Sequence, residues 1–310
     1  MDISIIIVNW NTKDLLSNCL ESIFRTVTAQ SFEVIVVDNA SADGSVGMLA
    51  QKYPQVKTIA NQENRGFGAA NNQGFAGMQG KYALLINTDA VLLPGAVQKL
   101  WAFAEANPRA AIVCGQLLNA DGSKQNSIAS FPTILTLAVN TSLLEYLFPG
   151  KYPSKRYHHA GPLEVDSAIG ACMMIRKQAL DQVSFFDDRY FFFFEETDMA
   201  YAMKLAGWKI YHVPDALIYH FQGQSIGHNA RSRIEFYRSR YQFLRKWKPR
   251  YVYLAAVAII LIRLMVSFLV NAAGVVVTLG LIIHIRQKTA VYWEILQWHF
   301  REGSSGAKQT

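Results

Sequence analysis

Residues Ile3–Val8, ISIIIV, form a continuous run, apolar but for Ser4, that leads into Asn9-Trp10-Asn11. A strand with one wet face alternates polar and apolar side chains, so a run without alternation is expected of a strand buried on both faces. Thr12–Arg25 follows with Leu15, Leu16, Cys19, Leu20 and Ile23 at helical spacing. The same pair of signals then repeats. Phe32–Val37 (FEVIVV) reads as a second buried strand ending at Asp38, Val46–Tyr53 as a helix stopped before Pro54, and Val56–Ala60 as a third strand. Gly66–Met78 is a helix of small residues, and Tyr82–Ile86 a fourth strand ending at Asn87-Thr88-Asp89. Pro94 suits the start of a helix over Gly95–Ala106. Alternation of this kind predicts an α/β fold with a mainly parallel sheet and helices on both faces.

Further along, the pattern loosens. Ala110–Cys114 reads as a strand, Asn119–Gly122 (NADG) as a turn, and Ser127–His159 as a loop-rich insertion over one end of the sheet. Val165–Ile175 resumes strand character, broken by Gly170. Glu196–Ala206 is a helix closed by Gly207, and Trp208–Val213 and Ala216–His220 are two short strands.

A chain of 310 residues, 51% of them apolar, buries a full core as one large domain or two smaller ones. Cys19, Cys114 and Cys172 are isolated in apolar contexts, without CxxC or Cys/His spacing. They read as buried structural thiols in a reducing compartment, not as zinc ligands. MDISIIIVNW lacks a basic leader and reads as a strand, not a signal peptide.

The net charge of +7 is unevenly spread: Arg231–Arg250 holds eight Lys/Arg against one acid, Glu235. No DNA- or RNA-binding signature accompanies it, and the longest apolar stretch follows at once. The expected partner is therefore anionic membrane lipid and not nucleic acid. Arg231–Trp247 reads as a basic helix with Phe236, Tyr237, Tyr241 and Leu244 on its apolar face. Tyr251–Ile262 is uncharged, Arg263 interrupts, and Leu264–Ile283 adds twenty uncharged residues, enough to span a bilayer. Basic residues flank the stretch on both sides, and Arg263 is unfavourable at mid-bilayer, so a hairpin over 251–286 that dips in and returns fits better than one crossing. Trp293 and Trp298 suit an interfacial helix within 287–310, with a polar tail from about Glu302. The expected division is a catalytic domain over 1–230, a basic juxtamembrane helix over 231–250, then these membrane elements, all at the cytoplasmic face of the cell membrane.

Ligands of open α/β sheets bind outside the carboxyl ends of the strands. Polar clusters fall at such ends here: Asn9-Trp10-Asn11, Asp38-Asn39-Ala40-Ser41 and Asn87-Thr88-Asp89. Each alone serves a turn; together they point to a nucleotide or another polar ligand. No GxGxxG follows the first strand and there is no GxxxxGK[ST], which disfavours a dinucleotide-binding dehydrogenase or a P-loop kinase. Without a phosphate-cradling glycine loop, a bound diphosphate needs a cation. Mg²⁺ or Mn²⁺ held by a carboxylate and the ligand's own phosphates suffices, with Asp89 the first ligand. Phe191–Asp198, FFFFEETD, runs four aromatics into Glu195, Glu196 and Asp198. The acids form either the wall of a cleft, where carboxylates serve as bases or ligands, or a helix start that the dipole favours.

Seven segments in order carry a family resemblance: SIIIVNWN with Leu15 to Leu20, VIVVDNASADGS, NRGFGAANNQG, LLINTDAVLLP, AIGACMMIRKQAL, FDDRYFFFFEETDMAYAMKLAGWKI and HVPDALIYHFQGQS. Over roughly residues 3–240 the chain resembles a family-2 glycosyltransferase of the GT-A fold, close to the rhamnosyltransferase-like members. The resemblance implies a nucleotide-sugar site: Asp38 on the pyrimidine base with Asn9 and Asn39 nearby, and Arg65 and Gly66 close to the base or phosphates. Asp89 ends the counterpart of the DxD-type metal motif, and Asn87 stands where many members carry the first Asp. His220 matches a His that approaches the metal or diphosphate. Glu196 falls at the position of the catalytic base, where Asp is usual; Asp198 competes for that role, although a helix start suits it too. The implied reaction is an inverting transfer of a sugar, rhamnose from dTDP-rhamnose by preference, to a lipid-linked saccharide. Two other readings stand beside it. A GT-A-like nucleotidyltransferase would carry a Gly-rich basic loop after the first strand, which VNWNTKD is not. A membrane-anchored scaffold with a degenerate transferase domain would account for Asn87 and Glu196.

Overall fold

The computed structural model describes residues 1–154, 159–221 and 230–303. They form two compact units, Met1–Phe131 with Glu145–Ser225, and Pro132–Leu144 with Ile226–Thr310.

The first unit begins as the apolar runs predict: β1 (Ile3–Asn9), α1 (Lys13–Thr26), β2 (Phe32–Asp38), α2 (Ser45–Lys52), β3 (Lys57–Ala60), α3 (Phe67–Gly77) and β4 (Tyr82–Ile86). Next come β5 (Ala90–Leu92), α4 (Ala96–Ala106), β6 (Ala110–Leu118) and β7 (Ile128–Ala129). Two short helices follow, α5 (Ile134–Ala138) and α6 (Thr141–Leu147), then β8 (Leu163–Val165), β9 (Ser167–Ala168), β10 (Cys172–Arg176), α7 (Lys177–Val183), α8 (Glu195–Leu205) and β11 (Lys209–His220).

The main sheet runs β3-β2-β1-β4-β10-β6-β11-β5, with β8 also on β11. β1 to β4 pair in parallel, as do β6 and β11. Antiparallel pairs enter where β10 lies between β4 and β6, and where β5 and β8 flank β11. Alternate residues of each strand face opposite layers, which is why the runs are apolar apart from Ser4 and Glu33, whose side chains hydrogen-bond to each other (2.6 Å). Ile3, Ile5, Ile7, Val34 and Val36 pack with Leu16, Leu20 and Ile23 of α1, Leu49 of α2 and Leu100 of α4. Ile6, Ile35 and Val37 pack with Phe75 of α3, Leu180 of α7 and Met199 and Met203 of α8.

Two expectations need correction. Trp208–Val213 and Ala216–His220 belong to one strand, β11, whose register on β6 shifts between Val213 and Leu217. Pro214 falls in that shift, where a residue without an N–H costs the ladder nothing. The first half of β11 then pairs with β8 and the second half with β5. Residues 127–159 are not simply loop. Leu137 and Leu144 are buried on α5 and α6, helices too short for periodicity to declare. Thr133 and Thr136 close a capping box at the start of α5.

The second unit joins Pro132–Leu144 to the C-terminal helices α9 (Ala230–Trp247), α10 (Arg250–Val277) and α11 (Ile283–Trp298), a grouping that a boundary near 230 does not anticipate. α10 runs unbroken through Arg263, whose guanidinium donates to Leu137 O at the end of α5. The reversal comes at Leu279 and Gly280, both at positive φ (49° and 71°), where Gly280 N–H reaches Val275 O (2.8 Å). α11 then returns along α10, with Phe268 and Trp293 ring centroids 5.5 Å apart. α9 is tied to both by aromatic contacts: Tyr241 stacks on Trp298, its hydroxyl lies 2.8 Å from His299 Nε2, and Arg245 donates to the Tyr253 hydroxyl (2.8 Å). Among the described residues α10 is the one helix long and apolar enough to cross a membrane, and most of its surface is exposed. The expected polar tail beyond Gly303 lies outside the described residues.

Candidate active site

The carboxyl ends of β1, β2 and β4 are tied into one polar floor. Asn9 and Asp38 are register partners at the ends of β1 and β2. Asn9 Nδ2 donates to Asp38 Oδ2 (2.7 Å) and Ser41 Oγ (3.1 Å), while Asp38 Oδ1 accepts Ser41 N–H (2.8 Å). The Thr12 hydroxyl donates to Asn9 Oδ1 (2.8 Å) and lies 2.9 Å from the Thr88 hydroxyl beyond β4. Asn9, Asp38 and Asn39 are all buried, so these side chains are fixed before any ligand arrives. Ala40 sits at φ 63°, a conformation uncommon for a residue with a Cβ, and Asn39 N–H on Asn9 O (2.8 Å) helps hold that turn.

A second strap joins this floor to the acidic segment. Asn39 Nδ2 donates to Gly66 O (3.1 Å), and Phe67 N–H donates to Phe191 O (3.0 Å). Gly66 is required here on two counts: its φ is +83°, and a Cβ would lie 2.5 Å from Phe191 O. Arg65, beside it, is exposed.

Phe193 and Phe194 both take positive φ (67° and 70°) immediately before α8. Two bulky residues in this region store strain, which only a well-determined surrounding sustains. The turn delivers Glu195 and Glu196 into the first turn of α8. Asp198 is buried and accepts the Tyr190 hydroxyl (3.0 Å), a seat inside the wall. Glu195 is buried and Glu196 half-buried, and both Oε2 atoms are shut off from solvent without an N–H or hydroxyl partner. The two carboxyls therefore satisfy each other. Burial first, and then the neighbouring charge of Glu196, hold the Glu195 proton well above the ordinary carboxylate range. Burial raises Glu196 too, offset by backbone N–H groups and by the Glu195 carboxyl. In such a pair one group keeps the proton and the other the lone pair; here Glu195 is the donor and Glu196 the acceptor. A methyl group at Gly170 would lie 3.9 Å from Glu196 Cγ, so that glycine keeps space open beside the carboxylate.

Asp89 and His220 meet because β5 and β11 pair with His220 opposite Ala90. Phe221 N–H donates to Asp89 O (2.9 Å), and His220 Nε2 lies 3.4 Å from Asp89 Oδ1. Both side chains are buried. Adjacent ligands on one octahedral metal, at bond lengths of about 2.1 Å, are about 3 Å apart, so this spacing fits two ligands of one cation. No group of three or more metal-binding side chains exists among the described residues. That donor set suits Mg²⁺ or Mn²⁺ completed by phosphate and water, not a closed structural site. Asn87 is half-buried, and its N–H donates to Ala171 O (2.9 Å).

The hydrogen bonds thus join Asn9, Asp38, Asn39 and Gly66 in one network, and a backbone bond links that network to the segment bearing Glu196. Asp89 and His220 form a pair of their own. Gln222–Ser225, the QGQS context of His220, lies outside the described residues. Sequence reasoning missed Thr12, Tyr190 and Gln125. Gln125 Nε2 donates to His220 O (2.6 Å) and its Oε1 lies 3.0 Å from His220 Nδ1, across 95 positions of sequence.

Comparison with known proteins gives the family and the fold. The family described as "Glycosyl transferase family 2" matches residues 4–184. An N-acetylglucosaminyl-diphospho-decaprenol L-rhamnosyltransferase of Mycobacterium tuberculosis is 28% identical over 232 residues, 70% of this chain and 76% of that protein. A low-salt glycan biosynthesis hexosyltransferase of Haloferax volcanii is 27% identical over 206 residues, 64% of this chain and 61% of that protein. Among solved structures, a mannosyltransferase of Pyrobaculum calidifontis in complex with GDP-Man and Mn²⁺ superposes with a TM-score of 0.58 at 15% identity, covering 99% of this chain and 88% of its own. That likeness establishes the GT-A-like fold.

Proposed function

The chain belongs to glycosyl transferase family 2, and from that premise we propose that it transfers L-rhamnose from dTDP-rhamnose to a hydroxyl of a lipid-linked saccharide, with inversion at the anomeric carbon. The observation that carries the proposal is the strap from Asn39 through Gly66 and Phe67 to Phe191, which links the strand-end floor to the segment bearing Glu195 and Glu196. The M. tuberculosis relative, whose name specifies a rhamnosyl transfer to a polyprenyl-linked sugar, supports the choice of transferred sugar and acceptor.

In this reading Asp38 accepts the N–H of the pyrimidine base, because Asn9 and Ser41 leave lone pairs on its carboxylate. Arg65, exposed and with no acidic partner among the described residues, meets the phosphates as they enter. Asp89 and His220 would hold Mg²⁺ or Mn²⁺, which when bound stabilises charge on the departing diphosphate. Glu196 takes the proton of the acceptor hydroxyl at its carboxylate. Its neighbour Glu195 stays neutral and directs its own proton to it. A base whose pKa lies above the ordinary carboxylate range is better matched to a hydroxyl near neutral pH. One displacement inverts the configuration, so no covalent nucleophile is required.

The second unit holds the protein at the cytoplasmic face of the membrane. α10 is about 42 Å long at ~1.5 Å per residue, against a hydrocarbon core of about 30 Å. Basic α9 then meets anionic headgroups. The test is a donor panel assayed on polyprenyl-diphosphate-linked N-acetylglucosamine, with Mn²⁺ and then with EDTA. Turnover of dTDP-rhamnose above UDP- and GDP-sugars, lost with EDTA and restored by Mn²⁺, is expected. Full activity in EDTA removes the metal role of Asp89 and His220.

A further inference from the structure

We propose that Gln125 is a positioning residue that fixes His220 with its proton on Nδ1 and its Nε2 lone pair turned toward Asp89. The inference rests on the reading of Asp89 and His220 as the cation seat.

The amide of Gln125 is oriented by the backbone. A carbonyl oxygen can only accept, so the group 2.6 Å from His220 O must be the Gln125 NH₂. The opposite orientation would set two acceptors against each other. Gln125 Oε1 is then the atom 3.0 Å from His220 Nδ1, and it too can only accept. The ring proton is therefore drawn to Nδ1, and in that tautomer the Nε2 lone pair lies 3.4 Å from Asp89 Oδ1. Two electron-rich atoms facing each other across that distance form a seat for a cation. With the proton on Nε2 instead, the same space would be blocked.

Gln125 does not depend on His220 for its own position. Its N–H donates to Leu117 O (2.8 Å), and its carbonyl accepts Gln116 Nε2 (2.8 Å). Gln116 Nε2 also meets Ser127 Oγ (3.0 Å) and is buried with it on the β6 side. The clamp on His220 is thus built from β6 and the turn after it, and meets the ring at Nδ1, while Asp89 lies at Nε2. Outer partners of this kind orient metal-binding imidazoles, and losing one typically weakens metal binding by about 10–100-fold.

The test uses the full chain in two measurements. In metal-free protein labelled with ¹⁵N-histidine at alkaline pH, the His220 resonance, identified by its loss in His220→Gln, is expected to show the Nδ1–H tautomer. An Nε2–H tautomer in the wild type overturns the proposal without any variant at Gln125. Mn²⁺ binding is then followed by electron paramagnetic resonance of the free ion. Gln125→Leu should bind Mn²⁺ about 10–100-fold more weakly than wild type. Unchanged Mn²⁺ affinity in folded Gln125→Leu, with affinity lost in His220→Gln, overturns the role of Gln125 and leaves the cation seat standing. Unchanged affinity in both His220→Gln and Asp89→Asn overturns the seat itself.

Discussion

Glu195 and Glu196 are adjacent in sequence and opposite in the roles proposed for them, and pH separates them. Glu195 has a folded pKa well above the ordinary 4.5, because burial and the charge beside it penalise ionisation. The folded state therefore binds more protons than the unfolded one from about pH 4.5 upward, so stability is full below that value and falls as pH rises through the raised pKa. Glu195→Gln removes the ionisation and should melt higher than wild type at pH 8, by a few degrees, with the gap closing toward pH 4.5. Thermal melts of the two proteins across that range check it; a variant less stable at pH 8 contradicts the shared-proton pair. At this scale the sequence was informative wherever function coincided with an exception to local chemistry. Asp38, Asp89 and Glu196 are acids placed against apolar runs, and polar residues there are conspicuous. Gln125 and Tyr190 are not, because each matters only through a partner that the fold supplies.

Elements were legible where burial was two-sided. β1, β2 and β4 are apolar runs broken only by Ser4 and Glu33, and their observed bounds differ from the expected ones by at most a residue. α5, α6 and α7 have five, seven and seven residues, less than two helical turns of pattern in each case. The single strand β11 was read as two because Pro214 punctuates it. The sequence suggested a hairpin over 251–286; α10 runs unbroken over Arg250–Val277, and the chain reverses at Leu279 and Gly280, inside the apolar stretch but near its end. The residues at that turn also make the hairpin testable. Val277, Leu279 and Leu281 are 82%, 86% and 81% exposed, which a soluble protein has no reason to maintain. On the membrane reading they enter the lipid. Leu279→Lys with Leu281→Lys should lower the fraction that floats with anionic liposomes at least about tenfold, since burying each side chain contributes about 1.5–3 kcal/mol. Flotation equal to wild type contradicts insertion of this turn.

At the scale of the whole molecule, all residues assigned to chemistry belong to the first unit, and the long exposed apolar helix belongs to the second. Their sequences interleave. Pro132–Leu144 leaves the first unit to pack with the C-terminal helices, where Arg263 meets Leu137 O. A cut near residue 230 thus strips partners from α5 as well as removing an anchor. This arrangement was hidden from the sequence because α5 and Arg263 lie 126 positions apart. The central claim is that the buried pair at the start of α8 supplies the base of a glycosyl transfer. Glu196→Gln tests it most directly, measured for dTDP-rhamnose affinity and for turnover on lipid-linked acceptor in the same preparation. Affinity within about threefold of wild type, with turnover reduced by about 10²–10⁴-fold, is the predicted result. Turnover that survives the substitution contradicts it.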